Sequence, residues 1–153
     1  MRLYIPLVVS DLVGSSLPEG VDAIILQRSD KESTEQVEEA SEVALEEAAF
    51  LSLQRCTETD DVPTRIVAVA VVASHRRDDQ TPGALQALPW EAVESIMADG
   101  PAGQALARRA LDSTSQADVD QLVEALFEIP LSWYDVSERT VLAQEILESP
   151  GAF

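Results

Sequence analysis

The most constraining feature of this sequence is the run Thr64-Arg65-Ile66-Val67-Ala68-Val69-Ala70-Val71-Val72-Ala73-Ser74. Beyond Arg65 it consists of small and β-branched residues with no polar alternation, which is how a strand reads when both of its faces are covered. The run therefore predicts a strand in the middle of a sheet. His75-Arg76-Arg77-Asp78-Asp79 follows directly and holds the only histidine of the chain. Open sheets with flanking helices place ligand crevices at such strand exits.

Flanking segments supply partners for that strand. Arg2 to Val9 reads as a first strand, with Leu3, Ile5 and Leu7 on one face and Tyr4 and Val8 on the other. Pro6 cannot donate to a ladder, so pairing there is expected on one side only, or through a bulge. Ser10 to Val13 forms a helical turn closed by Gly14, and Val21 to Gln27 holds a second strand around Ala23 to Leu26. Ser33 and Gln36 make a capping box that opens a helix running to about Arg55. Its expected packing stripe is Val37, Ala40, Ala44, Leu45, Ala48 and Leu51. Leu88 to Ala98 is open to two readings, a helix on the spacing of Trp90, Val93 and Met97 or a turn followed by a strand over Val93 to Ala98, of which the second is preferred; Pro101 sits at the first position of a helix. Ser115 caps the next helix, Ile129 to Tyr134 is an edge strand, and Asp135 with Glu138 caps a last helix. Together these predict an α/β or α+β fold: a mixed four- or five-stranded sheet flanked by helices, in one domain over residues 1–153. A chain of this length can bury a full core without metals or crosslinks.

Charge narrows the partners. The net charge is −18, with 46% apolar and 25% charged residues, so the chain is acidic yet apolar enough to fold. Residues 30–61 carry eleven acidic groups against two basic, residues 112–153 carry nine against one, and residues 62–111 balance. Such a surface repels a phosphate backbone, and no nucleic-acid partner is expected. The early apolar run breaks at Pro6 and Asp11, which predicts no secretory leader, and no segment is long enough to predict a membrane span. With Cys56 as the sole cysteine, no internal disulfide can form, and a cytoplasmic location is expected.

The opening Met1-Arg2-Leu3-Tyr4-Ile5-Pro6 and the closing Leu131-Ser132-Trp133-Tyr134-Asp135-Val136-Ser137-Glu138, with Leu88-Pro89-Trp90 between, resemble a family of small uncharacterised actinobacterial proteins. The likeness spans most of the chain. That family has no assigned activity, so the resemblance transfers no functional residue.

Four groups of residues are candidates for chemistry or contact. His75, Arg76 and Arg77 could hold a small anion, against the alternative that Asp78 and Asp79 neutralise the arginines. The glutamate face of the long helix, Glu35, Glu38, Glu39, Glu42 and Glu46, lacks the Glu-x-x-His spacing of di-metal bundles and reads as solvated. Cys56 would need His75 and an orienting carboxylate to act as a nucleophile, and otherwise reads as a small core residue. Trp133, Tyr134 and Trp90 are either packing residues or aromatic anchors of a protein contact. No glycine-rich phosphate loop, Gly-x-Ser-x-Gly or metal-spaced His/Cys cluster occurs, so no catalytic residue, metal or cofactor is expected. The reading that follows is a non-catalytic accessory or regulatory domain binding a protein partner or a second copy of itself. The alternative is binding or processing of a small anionic metabolite at His75; mimicry of nucleic acid by the acidic faces is a third.

Overall fold

The computed structural model describes residues 1–26, 31, 33–72 and 88–148. β1 (Arg2–Leu7) and β3 (Ile66–Val71) pair along their whole lengths, from Arg2↔Val71 to Leu7↔Ile66. β2 (Ile24–Leu26) lies on the other side of β1, and β4 (Val93–Ala98) and β5 (Ser132–Tyr134) extend the sheet beyond β3. The order is β2-β1-β3-β4-β5, so β3 is the middle strand, as its composition requires.

Among the described residues every pairing is antiparallel, which corrects the expectation of mixed directions, while the expected sheet flanked by helices is present with five strands. β2 and β3 do point the same way and are joined by a helical crossover, but β1 lies between them, so no parallel ladder forms. Pro6 sits where β1 has one neighbour, because β2 pairs only with Arg2 to Tyr4. Its carbonyl oxygen accepts from Arg55 Nη1 at 2.8 Å.

A layer packs on each face of the sheet, leaving Val71 and Trp133 exposed. Leu3, Ile5, Leu7, Ile66, Ala68, Ala70 and Ile96 face a layer made by the 3-10 turn Val9–Val13, Trp90 and α4 (Arg139–Glu148), which contributes Leu142, Ala143 and Ile146. Tyr4, Val67 and Val69 face α1 (Thr34–Thr59). The small residues Ala44, Ala48 and Ala49 let this helix approach closely, and the Ser52 hydroxyl stitches it to the sheet, donating to Leu7 O at 2.7 Å and accepting from Ile66 N at 2.9 Å. The capping box at Ser33 forms as expected. The helix runs a turn past Arg55 and ends at Asp60, whose φ of 56° reverses the chain. Its buried face is Ala44, Ala48, Ala49, Ser52, Leu53 and Cys56, whereas Val37, Ala40 and Leu51 are only half-buried. α2 (Pro101–Asp112) and α3 (Gln116–Phe127) pack on one another and reach α1 through Leu53, Ala107 and Leu126.

Candidate functional site

Of the predicted site residues, Trp90, Trp133 and Tyr134 fall among the described residues. His75, Arg76 and Arg77 lie outside the described residues, as do Asp78 and Asp79. Trp90 is a core side chain, 5% exposed, with Nε1 donating to Gly14 O at 2.9 Å and the Arg139 guanidinium 4.5 Å above its ring. Arg139 also donates to the carbonyls of Leu12 and Gly14, fixing the loop over Trp90. Trp90 is thus a packing residue rather than a surface anchor. Tyr134 is half-buried against the same core, and burial first, then Glu145 and Glu138, pushes its phenol above the ordinary value. Trp133 differs: it is 62% exposed and lies opposite Met97 on the α1 side of the sheet.

Cys56 is buried, with Sγ 3.4 Å from the carbonyl oxygens of Val62 and Thr64. Burial raises its pKa, and the Asp61 charge adds to the rise against the lowering effect of the Thr64 backbone and Arg55. A thiol held neutral in this way is a poor nucleophile. Among the described residues, no three His, Cys, Asp or Glu side chains gather closely enough to hold a metal ion.

Met97, the cross-strand partner of Trp133, lines a groove of about 340 Å³ between α1 and the segment from Phe127 to Leu131 that leads into β5. Leu45, Met97, Phe127, Ile129 and Leu131 give it an apolar lining, and Glu42, Glu46 and Glu128 stand exposed around it. Arg65 lines it as well, as half of a buried ion pair. Arg65 precedes β3 and Asp99 follows β4, one step beyond the last cross-strand pair Ile66↔Ala98. Their backbones continue the ladder, Asp99 N donating to Arg65 O at 3.1 Å. The Asp99 carboxylate accepts from Arg65 N at 2.8 Å, from Nε at 3.0 and 3.1 Å and from Nη2 at 2.6 Å. Nη2 also reaches Ile129 O at 2.9 Å, and the guanidinium lies 5.2 Å from the Phe127 ring centroid.

One glycine makes room for this pair. The Asp99 carboxylate rests against the first turn of α2, where a Cβ on Gly103 would fall 2.1 Å from Oδ1. Gln104 Nε2 donates back to Asp99 O at 3.2 Å. The cluster therefore joins the β3 and β4 ends, the start of α2 and the entry to β5. In the sequence, Arg65 belongs to the run predicted as a strand, and Asp99 lies two residues before Pro101, the predicted helix start. The available signal was a charge at the head of an unbroken apolar run and an Asp-Gly-Pro with a further glycine three residues on.

The model of a family of unknown function, DUF6912, matches residues 1–143. The chain belongs to that family. No curated protein and no solved structure matches it. The DUF6912 match covers the whole sheet, the Arg65–Asp99 pair and every residue of the groove, and ends within α4.

Proposed function

We propose that this protein is a non-catalytic accessory or regulatory domain that binds another protein through Trp133 and the adjoining groove. The observation that carries the reading is Trp133, 62% exposed on an edge strand and paired across it with Met97, which lines an apolar groove. Large aromatic side chains bordering pockets are the usual energetic centres of protein contacts. The polar chemistry under the groove supports binding over turnover, because the Asp99 carboxylate is saturated by Arg65. The single, buried cysteine suits a reducing cytoplasm.

Affinity capture from native lysate with the wild-type chain and with Trp133→Ala tests this. A partner held by the wild type and by a Val141→Ala control, and lost by Trp133→Ala, is the expected result. A partner retained equally by all three chains overturns the assignment of the face. The competing proposal, an anionic metabolite at His75, Arg76 and Arg77, rests on their sequence alone. Titration calorimetry with phosphate, nucleotides and carboxylates tests it, and an affinity unchanged in an Arg76→Ala/Arg77→Ala chain removes it.

A further inference from the structure

We infer that the occupant of the groove is an extended segment of a partner protein that alternates apolar with cationic side chains. This rests on the protein-binding reading above and adds the chemistry of the partner. Three features select it. The lining offers half-buried Leu45, Met97 and Leu131, whose remaining apolar surface gains from being covered. The rim is anionic on two sides, with Glu42 and Glu46 one helical turn apart on α1 and Glu128 at the end of α3. Arg65 does not reverse that sign, because Asp99 neutralises it at 2.6 Å. Nη2 is further held by Ile129 O at 2.9 Å, so the Arg65 wall of the groove is fixed in place.

The same features argue against a second copy of this chain. Each copy carries a net charge of −18, and a symmetric contact would bring one acidic rim against the other. At about 340 Å³ the groove lies at the small end of ligand pockets, suited to one or two side chains of a segment that continues past Trp133.

The test uses the full chain and dye-labelled peptides of equal length: leucine alternating with arginine, serine with arginine, and leucine with glutamate. Anisotropy at low salt should show binding of the leucine–arginine peptide alone. Glu42→Gln/Glu46→Gln should weaken it about tenfold, as expected for loss of rim charge, while Glu35→Gln/Glu38→Gln on the first turns of α1 leaves it unchanged. Trp133 fluorescence should respond on binding. Equal binding of the serine–arginine peptide, or an equal loss in the Glu35/Glu38 variant, reveals attraction to the acidic surface at large and overturns the inference. Groove binding by the leucine–glutamate peptide that is lost in Trp133→Ala overturns the cationic occupant while leaving the protein-binding reading in place. No Trp133 response to any peptide, together with a partner that survives Trp133→Ala, removes both.

Discussion

At the scale of single residues, the Arg65–Asp99 pair concentrates more structural consequence than any other side-chain contact described. Both side chains are almost fully removed from solvent, at 3% and 0% exposure, so neither charge can be lost alone without leaving its partner stranded. Asp99→Asn should therefore destabilise the fold by roughly 3–5 kcal/mol, read as a lower urea midpoint at unchanged slope. Gly103→Ala should cost about 1–3 kcal/mol, because the added methyl displaces the carboxylate. An Asp99→Ala/Gly103→Ala chain should lose less than the sum of its single variants, since the clash disappears with the carboxylate. Cys56 makes a second residue-scale prediction. Its folded pKa lies above the ordinary 9.0, so its contribution to stability is complete below that value and is lost as pH rises through the folded one. Cys56→Ala should flatten the alkaline limb of the stability curve. Tyr134 titrates in the same direction in both chains, so the difference between them isolates the thiol.

At the scale of elements, what could be read from the chain was whatever neighbouring residues decide. The capping box at Ser33, proline at the start of α2, the turn before β4 and the strand character of Ile66 to Val71 are all local, and all are present. The direction of the sheet was not legible, because it depends on β1 inserting between β2 and β3. Nor was the inward face of α1: alanines lie on several sides of it, and the sheet selects those that fit closely, leaving Val43 and Phe50 exposed. Asp99 and Arg65 stand 34 residues apart, and only the β3–β4 register makes them a pair. The Trp133 face was half legible, since the aromatic was named but the groove beside it is built from four separated segments. The acidic side of α1 remains a real property of that element, with Glu38, Glu42 and Glu46 spaced four apart and exposed. Glu42→Lys turns three like-charge pairs, with Glu38, Glu39 and Glu46, into opposite ones. It should stabilise the fold by about 0.5–1 kcal/mol at low salt while weakening leucine–arginine peptide binding by about tenfold, as the same change of rim charge does in Glu42→Gln/Glu46→Gln. A gain in stability accompanied by unchanged peptide affinity would separate Glu42 from the groove.

At the scale of the whole molecule, the charge distribution and the layering act together. Acidic segments 30–61 and 112–153 supply α1, α3 and α4, so carboxylates lie over both faces of the sheet rather than in one patch. With a net charge of −18 the folded state collects this charge into a smaller volume than the unfolded chain does, and repulsion opposes folding. Salt shortens the reach of that repulsion to about 10 Å at 0.1 M and about 3 Å at 1 M. Raising sodium chloride across that range at neutral pH should therefore add roughly 1 kcal/mol of stability, or about 2–4 °C in Tm. The buried Arg65–Asp99 pair is shielded from mobile ions, so the deficit of Asp99→Asn should be the same at both salt concentrations. The Glu42→Lys gain should shrink, because its pairs are exposed. A Tm that falls with salt would show that exposed attractions such as Arg2–Glu94, at 3.3 Å, outweigh the collective repulsion, and that the acidic surface is not held at the expense of stability. The expected rise places a cost on that surface which a cationic partner would relieve on binding, so the partner's presence and added salt should stabilise the fold by overlapping rather than additive amounts.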